Sequence, residues 1–382
     1  MLEIEAKNFM KQYVYLDHNA TTPVLPEVAS VISDTLALGG NASSVHSRGR
    51  LARQAIENAR DKIANSIGVR ASEVLFTSGG TEANNLILNA CDWDHVMVTA
   101  VEHDSILNAG KNTEVIPVDK EGLIDLAGLE KRLGAAYGKI LVSVMLANNE
   151  TGVIQPVAEV SRIAQKYGAM MHTDAIQACG KIQLDRSTLG VDFISLSAHK
   201  IGGPQGVGAL IINEEVAFQP MIRGGGQERG RRSGTENISG ISGFGVAVEA
   251  VTYLADIPRI KELRNVLEAT IEGIAPGAVL CGEDVERLPN TSSIFMPGVN
   301  SETQVMKFDL SGIMISAGSA CSSGKVEVSH VLKAMGIEDD IASNVIRVSL
   351  GVGNSISDVE RFIQEWKKIF EGANAGNLMD VA

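Results

Sequence analysis

Short apolar runs alternate with amphipathic segments from about residue 15 to residue 251. Several of these runs are apolar at consecutive positions, which is typical of strands buried on both faces of a parallel sheet. They predict seven strands, at residues 74–77, 95–100, 114–118, 140–146, 169–173, 192–196 and 207–212. Because helical patterns fall between the strands, the sequence predicts an α/β layered domain with a mostly parallel sheet.

Helical signals are found in the intervening segments. Five apolar residues recur at intervals of four and predict one amphipathic helix: Leu51, Ala55, Ala59, Ile63 and Ile67. Another helix is predicted to open at Pro156 and to stop before Gly168, since proline favours the first turn and glycine the position after the last. The weakly charged stretch at residues 238–255 contains Glu249 and several Gly and Ser residues. We interpret it as a buried or half-buried helix and not as a membrane span.

The pattern changes after Pro258. A charged helix at residues 259–272 leads into short strands interrupted by Gly and Pro. The last helix is marked at its start by Ser357 and Glu360, which have capping-box spacing. We therefore predict a large domain at residues 15–255 and a smaller C-terminal domain at residues 256–382, which the N-terminal residues 1–14 join. A chain of 382 residues is long enough for two such cores.

Composition limits the expected partners and location. The chain has 33 basic and 46 acidic side chains and a net charge of −13. An acidic surface repels phosphate backbones, so nucleic acid is not an expected partner. Charged residues interrupt the first 20 positions, which therefore do not resemble a signal peptide, and no membrane partner is expected. The cysteines form no CxxC pair, which argues against a metal site or disulfides and fits a reducing, cytoplasmic compartment: Cys91, Cys179, Cys281 and Cys321.

Lys200 stands on a Gly-rich turn directly after the predicted strand at residues 192–196. Open α/β sheets bind ligands at that edge. A lysine in a desolvated site can lose its proton and form a Schiff base. Ser197 and His199, which flank Lys200, are candidate hydrogen-bond donors to a phosphate group. Taken alone, such a lysine is more often a surface residue in a turn.

A glycine-rich helix start follows the strand at residues 74–77. In Ser78-Gly-Gly80-Thr81-Glu, backbone N–H groups at a helix N-terminus can bind phosphate, and the two glycines let it come close. As a single signal this is weak, because many helices that follow strands begin with Gly and Thr.

Two further segments carry groups that could act on a flat cofactor. In His172-Thr-Asp174-Ala-Ile-Gln177, a carboxylate at a strand end can keep a pyridine nitrogen protonated, and the alternative is a helix-capping aspartate. His103, after Glu102, could lie on a cofactor face and move protons near neutral pH, and the alternative is a structural histidine.

Seven segments, in this order along the chain, resemble those of cysteine desulfurases, which belong to the class V aminotransferase group of fold-type I pyridoxal-phosphate (PLP) enzymes. The resemblance extends from about residue 15 to Gly351. It implies the PLP-dependent transferase fold, in which a large domain with a mostly parallel seven-stranded sheet is followed by a smaller α/β domain. The segments are Asp17-His-Asn-Ala-Thr-Thr-Pro23, Ser78-Gly-Gly-Thr-Glu82, Asn148-Asn-Glu-Thr-Gly152, His172-Thr-Asp-Ala-Ile-Gln177, Ser197-Ala-His-Lys200, Arg232-Ser-Gly-Thr235 and Ala317-Gly-Ser-Ala-Cys321.

The resemblance implies how PLP would be held. Lys200 would bind it covalently, and Thr235 would reach its phosphate from the partner subunit of a homodimer. Four residues of the same subunit would hold the phosphate: Gly80, Thr81, Ser197 and His199.

The resemblance also implies roles around the ring and the substrate. Asp174 would pair with the pyridine nitrogen, Gln177 with the phenolic oxygen, and His103 would stack on the ring. Asn149, close to both cofactor and substrate, and Arg347 would hold the substrate carboxylate, a task that suits the two parallel N–H groups of arginine. The alternative for Arg347 is a surface ion pair.

Cys321 lies in a run of small residues, Ser316 to Gly324, which lacks the apolar neighbours that a buried structural cysteine prefers. A thiolate there could attack the sulfur of bound L-cysteine and carry it as a persulfide, leaving L-alanine. The sulfur would then pass to an iron–sulfur scaffold or another acceptor protein. The other three cysteines are predicted to fill the core.

Three alternatives remain open from the sequence. A selenocysteine lyase or another class V aminotransferase would share the PLP residues, although a transaminase has no need of Cys321. A nucleotide-binding or regulatory α/β protein without catalysis could use the Gly-Gly-Thr loop. The combination of Lys200 with Asp174 argues against the last of these.

Overall fold

The computed structural model describes residues 13–110, 113–214, 216–251, 255–279, 285–318 and 328–379, the last six of these as backbone only. The described strands are β1 (Val14–Tyr15), β2 (Val74–Thr77), β3 (His95–Thr99), β4 (Thr113–Ile116), β5 (Ile140–Ser143), β6 (Met170–Asp174), β7 (Phe193–Ser197), β8 (Gly208–Ile212), β9 (Thr291–Phe295), β10 (Ile313–Met314), β11 (Ser316–Ala317) and β12 (Val345–Ser349).

Helices surround these strands. They are α1 (Pro26–Leu38), α2 (Ser47–Ile67), α3 (Gly80–Asn89), α4 (Asp104–Leu107), α5 (Leu126–Leu133), α6 (Val157–Lys166), α7 (Arg186–Leu189), α8 (Ile238–Val251), α9 (Ile257–Ile274), α10 (Ser301–Leu310), α11 (His330–Ala334), α12 (Asp339–Ala342) and α13 (Ile356–Met379). Within the described ranges, no helix combines the length and apolar character needed to cross a membrane.

The central sheet has seven strands in the order β2-β8-β7-β6-β5-β3-β4. Only β8 runs antiparallel to its neighbours, so β2, β6 and β7 end at the same edge. Every residue of β2, β5, β7 and β8 is buried, which explains why these strands are apolar at consecutive positions. The predicted α/β fold with a mostly parallel seven-stranded sheet is confirmed.

The predicted strand at residues 140–146 is shorter in the structure. β5 ends at Ser143, although Val144 and Leu146 still donate backbone hydrogen bonds to the carbonyls of His172 and Asp174, at 3.0 and 2.9 Å. The chain thus follows β6 irregularly and reaches the edge of the sheet where β6 ends.

The amphipathic stripe predicted for α2 is only partly buried. Ile63 and Ile67 lie in the core, whereas Leu51 is 47% exposed. A repeat of four residues drifts by ~40° per step around a helix of 3.6 residues per turn. The buried face therefore continues toward the N-terminus through Ile56 and Ala52.

A second, smaller set of elements follows α8. β11, β12 and β9 form an antiparallel sheet, and the N-terminal β1 pairs with β10. Their apolar side chains form a cluster of their own with α9 and α13, which includes Leu16, Phe308 and Trp366. Leu16 thus packs with residues far along the chain. The division into domains at residues 15–255 and 256–382 stays a prediction.

The start of α13 differs from the predicted one. The helix begins at Ile356, and the backbone N–H of Ser355 donates to Asp358 Oδ2 at 2.8 Å. The sequence contains two overlapping Ser-x-x-acid pairs, and the predicted pair, Ser357 with Glu360, was the wrong one.

Candidate active site

The N-terminal segment that follows β1 crosses the carboxyl edge of the central sheet and binds the turn after β7. The backbone N–H of Thr22 donates to His199 O at 2.8 Å, and its hydroxyl donates to Lys200 O at 3.0 Å. Asn19, within this segment, is only 1% exposed. The turn that carries Lys200 is therefore held from both sides, by the sheet and by the segment at residues 17–22.

Lys200 ends the short helical turn Ala198–Lys200 directly after β7. Its Nζ donates to the carbonyl oxygens of Asn19, at 2.6 Å, and Ala20, at 2.8 Å. Burial, with the nearby charge of Arg347, lowers the pKa of this amine to about 8. A substantial fraction of the amine is thus neutral near physiological pH, as a nucleophile requires.

Asp174 is the last residue of β6, next to β7 in the sheet. Its Oδ2 accepts from Asn84 Nδ2 at 2.7 Å, and its Oδ1 accepts from the backbone N–H of Ile176 at 3.0 Å. It caps the following turn, as the alternative held, but it is also buried, which raises its pKa against the effects of His103 and Lys200. The carboxylate is therefore fixed at the same edge as Lys200.

A cavity of about 440 Å³ opens at the start of α3. Gly80 leaves room there for the end of the Ile176 side chain, which a Cβ at this position would overlap. The cavity is lined by Ala20, Thr21, Ser78, Gly79, Gly80, Thr81, Glu82, Ser197, His199, Gln205 and Gly206. It thus brings together the four predicted phosphate-binding residues.

His199 is a neutral donor or acceptor in this cavity. Its Nδ1 lies 3.2 Å from Thr21 Oγ1. Burial and the nearby Lys200 lower its pKa to about 4. The ring is therefore uncharged at neutral pH and contributes a hydrogen bond rather than a charge.

His103 caps α4 at the exposed side of the site. Its Nδ1 accepts from the backbone N–H of Ser105 at 3.0 Å, so the neutral ring carries its proton on Nε2. Ser105 Oγ also accepts from Asn84 Nδ2 at 2.9 Å. The same amide thus connects the histidine cap with Asp174. His103 thus makes a structural contact through Nδ1, as the alternative held. Among the described residues, no hydrogen bond occupies its Nε2, which could therefore contact a ligand.

Arg347 comes from β12 in the second sheet and is 5% exposed. Its Nη2 donates to Asp17 Oδ1 at 2.9 Å and its Nη1 donates to Asn149 O at 3.1 Å. Within the described part of the chain, its buried Nε has no hydrogen-bond partner. The alternative of a surface ion pair is thus wrong, because the Arg347 side chain is buried and that of Asp17 is only 18% exposed.

Asn19 connects segments that are far apart in the sequence. Its side chain accepts from Lys181 Nζ at 2.7 Å and donates to Asn149 O, at 3.1 Å, and Thr291 Oγ1, at 2.9 Å. Its backbone N–H donates to Ser349 Oγ at 2.9 Å. The sequence analysis assigned no role to this residue, since no local pattern shows that residue 19 meets residue 349.

Gln177 and Lys181 lie in the turn after β6. Gln177 Nε2 donates to Asn19 O at 2.9 Å, the same oxygen that accepts from Lys200. Lys181 Nζ donates to Gln177 Oε1 at 2.7 Å. Lys181 was not a predicted site residue, and its only sequence signal is a spacing of four from Gln177.

Comparisons with known proteins agree with this arrangement. Residues 14–362 match the aminotransferase class-V family. A cysteine desulfurase IscS from Dictyoglomus turgidum is 40% identical in an alignment of 378 residues that covers 95% of each chain. The chain belongs to the cysteine desulfurases of aminotransferase class V.

Solved structures extend the likeness to the fold. A NifS-like protein from Rickettsia africae has a TM-score of 0.88 at 40% identity, over 94% of this chain and 99% of that one. The protein SspA, whose structure was solved in complex with cysteine, has a TM-score of 0.74 at 29% identity, over 88% of this chain and 98% of that one. The chain is thus an enzyme of this family.

Thr235 is the predicted phosphate residue that this desulfurase chain does not bring to its own cavity, where it is not among the described lining residues. It follows Arg232, whose Nε donates to Glu82 Oε1 at 2.9 Å at the start of α3. Earlier in the same loop, the buried Glu228 accepts from Arg60 Nη2 at 2.8 Å. The loop is therefore bonded to α3 and α2 of the same chain, and Thr235 is exposed.

Cys321 lies outside the described residues, as does Cys281. Described residues on either side of Cys321, Gly318 and Ser329, are bonded to segments that carry site residues. Gly318 N donates to Val345 O at 3.1 Å, two residues before Arg347, and Ser329 Oγ donates to Glu150 Oε2 at 2.5 Å, next to Asn149.

The two described cysteines are poor nucleophiles. Burial raises the pKa of Cys91 to about 11 and that of Cys179 to about 12. In the part of the chain that the structure describes, no group of three or more side chains could hold a metal ion.

Proposed function

We propose that this cysteine desulfurase binds PLP covalently at Lys200, converts L-cysteine to L-alanine and passes the sulfur to Cys321. One observation carries the proposal: the Lys200 amine, on the turn after β7, and the Asp174 carboxylate, at the end of the adjacent β6, lie at the sheet edge that carries a glycine-lined cavity. This is the place at which open α/β sheets bind their ligands. Lys200 Nζ reaches this cavity through Ala20, a lining residue whose carbonyl oxygen accepts its hydrogen bond.

The residues present fit PLP. At the outer end of the cavity, the helix N-terminus after Gly79, the Ser197 hydroxyl and the neutral His199 ring suit a phosphate group. Beside the cavity, at the buried inner end of the site, Lys200 has a lowered pKa. Asp174 is held by Asn84 in a position to pair with a protonated pyridine nitrogen. A cavity of about 440 Å³ also lies in the usual range for small ligands.

The substrate side fits an amino acid. Arg347 has a buried Nε that is free of protein partners among the described residues, and a guanidinium can bind a carboxylate through two parallel N–H groups. The relative SspA was solved in complex with cysteine, which supports L-cysteine as the substrate here. Asn149, whose carbonyl contacts Arg347, would border both substrate and cofactor.

Bound PLP supplies an electron sink that weakens the bonds of the substrate at Cα and Cβ. The Lys200 amine would take the Cα proton of the substrate. Asp174 would keep the pyridine nitrogen protonated, and Gln177 would supply an N–H for the phenolic oxygen. His103 would contact the cofactor and could hold a proton at Nε2.

Sulfur transfer is assigned to Cys321. Its thiolate attacks the substrate Sγ, the Cβ–Sγ bond breaks, an S–S bond forms on the enzyme, and Cβ takes a proton. One L-cysteine and one enzyme thiol thus give one L-alanine and one enzyme persulfide, so atoms and electrons balance. Gly318 stands three residues before Cys321, a reach of at most ~10 Å for an extended chain.

The persulfide would pass to an acceptor protein, and the IscS name of a relative supports an iron–sulfur scaffold. A homodimer would place Thr235 of each subunit at the other subunit's phosphate site, which its exposed position beside Arg232 and Glu82 supports. The widely spaced cysteines support a reducing, cytoplasmic setting.

The test combines cofactor mapping with product counting. Borohydride reduction of the yellow protein followed by peptide mapping is expected to label Lys200. With L-cysteine and a thiol reductant, the wild type should form alanine through many turnovers. Cys321→Ser should keep its PLP and stay yellow, but it should form almost no alanine. A label on another lysine refutes the site, and wild-type turnover by Cys321→Ser refutes the sulfur step. Turnover of selenocysteine alone would favour a selenocysteine lyase.

A further inference from the structure

Lys181 is a buried lysine to which the proposed chemistry gives no task. It is 8% exposed, and burial lowers its pKa well below the usual value for lysine. Its Nζ donates to Asn19 Oδ1 and to Gln177 Oε1, both at 2.7 Å. Among the described residues, its recorded hydrogen bonds thus go to amide oxygens and not to a carboxylate. Lysine is seldom buried without an ionic partner, so the position asks for an explanation.

The contact with Gln177 decides which way that amide faces. A side-chain amide has an acceptor oxygen and donor nitrogen of nearly equal size, so its partners determine its orientation. Since the Lys181 amine donates to Oε1, Nε2 must face the other way, and it donates to Asn19 O at 2.9 Å. The Lys200 amine donates to the same oxygen at 2.6 Å. Gln177 Nε2 and Lys200 Nζ are therefore neighbours across one carbonyl.

We propose that Lys181 is a positioning residue that keeps the nitrogen of Gln177 directed toward the reactive end of Lys200. The inference rests on the proposed function, in which Gln177 donates to the phenolic oxygen of PLP. Without a donor at Oε1, only the bond from Nε2 to Asn19 O, among the contacts of the described residues, still opposes a turn of the amide, and the turned amide presents Oε1 to the phenolic oxygen. The phenolic oxygen then loses a hydrogen bond and becomes more basic, so the linkage between Lys200 and the cofactor keeps its proton to higher pH.

Charge alone could mimic this effect, so the neighbouring charges matter. The titratable groups that interact with Lys181 or Lys200 are His18, Cys179, His199, Lys200, Arg347, Asp17 and Asp174. All of them stay in place when Lys181 is replaced. An effect that acts through Gln177 disappears when Gln177 has already been changed, whereas an effect of charge persists. A double-mutant cycle separates the two.

The experiment compares Lys181→Met, Gln177→Met, the double variant and Lys166→Met. The last is a matched control on an exposed lysine paired with Glu130. We expect Lys181→Met to bind PLP and to raise the pH midpoint of its absorbance change by about one unit, a tenfold change in proton affinity. We expect kcat to fall about tenfold, the effect of losing one well-placed hydrogen bond, with KM within about twofold. The double variant should match Gln177→Met, and the control should match the wild type.

Two results would overturn the inference: a wild-type midpoint and kcat in folded Lys181→Met, or shifts that add in the double variant. Should Lys181→Met not fold, Lys181→Gln keeps an uncharged NH2 donor on a side chain that is one bond shorter. It should shift the midpoint about half as far, and no shift there rejects the role. A wild type that binds no PLP at Lys200 would instead refute the proposed function.

Discussion

The two ends of the site are built in different ways. The outer end, around Gly79, Thr81 and His199, is half-open and comes mainly from two short segments that each follow a strand. The inner end, around Asn19 and Lys181, is buried and joins segments up to 330 residues apart. The outer end can bind a phosphate group through backbone N–H donors. The inner end holds charged side chains whose pKa values depend on burial. The outer end is thus expected to set the affinity for PLP, and the inner end the rate of the reaction.

The largest expected effect comes from breaking the inner end at Asp174. Asp174→Asn keeps an acceptor for the N–H of Ile176 but cannot stabilise a protonated pyridine nitrogen. Charge-assisted hydrogen bonds contribute roughly 1.5–3 kcal/mol, so we expect kcat to fall by about 10- to 100-fold or more. The thermal midpoint of the apo protein should barely change. Near-normal alanine formation by a folded variant would reduce Asp174 to a turn cap.

Breaking the outer end should change affinity instead. Gly80→Ala places a methyl group against the end of the Ile176 side chain, so either that side chain or the start of α3 must shift. We expect PLP to bind roughly tenfold more weakly, since displaced backbone donors lose about 1.4 kcal/mol of hydrogen bonding, while kcat at saturating PLP changes little. Equilibrium titration of apo protein with PLP measures this. Ile176→Ala should restore binding in the double variant, and Gly273→Ala, where a Cβ meets open space, is the matched control.

The pH dependence of covalent PLP loading tests the inner end separately, because it depends on the Lys200 amine. Only the neutral Lys200 amine can bond to PLP, and its pKa of about 8 means that the neutral fraction grows about tenfold from pH 7 to pH 9. The initial rate of covalent loading should rise accordingly and level off above pH 9. A rate that keeps rising toward pH 10.5 would show an amine that is not desolvated.

Lys200 also links pH to the stability of the apo protein. Its pKa is lower in the folded chain than in the unfolded one, so burial destabilises the fold while the amine is charged in both states, below about pH 8. Between about pH 8 and pH 10.5 the unfolded chain binds more protons, and the free energy of unfolding rises with pH. Apo Lys200→Met should lack this contribution, which is at most about 3 kcal/mol. Denaturant titrations of both proteins at pH 7 and pH 10 measure the difference.

The smallest effect is expected at the rim of the outer end. Glu82→Gln weakens the pair with Arg232, whose side chain is 21% exposed. Ion pairs near the surface contribute about 0–1 kcal/mol, so PLP affinity should change less than about fivefold. A larger loss would mean that this pair positions Thr235 for a partner subunit, and sedimentation or light scattering of the variant would then show altered assembly.

The outer end was predictable because each of its parts is local. Lys200 and Gly80 stand directly after apolar strands, and strands of one direction end at one edge of the sheet. The inner end was not predictable from local pattern, because Asn19 and Lys181 meet only through tertiary folding. Arg347 was found by resemblance, and the buried ion pair with Asp17 was not foreseen since neither segment signals the other.

Errors in the elements have similar physical origins. The apolar stripe that begins at Leu51 was predicted from a repeat of four residues, and such a repeat does not stay on one helix face. The start of α13 was predicted at Ser357 because two capping pairs of the same spacing overlap there, and the other pair, Ser355 with Asp358, forms. The strand at residues 140–146 was too long because apolar residues continue where the chain leaves the regular ladder and lines the site.

The position of Asn19 has a consequence for biosynthesis. A ribosome that adds about 5–20 residues per second needs roughly 15–70 s to make the 330 residues between Asn19 and Ser349. During that time, the central sheet can form around β2 to β8, but the hydrogen bonds of Asn19 to Thr291 and Ser349 cannot. The segment at residues 17–22 therefore leaves the ribosome early but completes its hydrogen bonds last. A nascent chain can thus bury most of its large apolar core before its active site is complete.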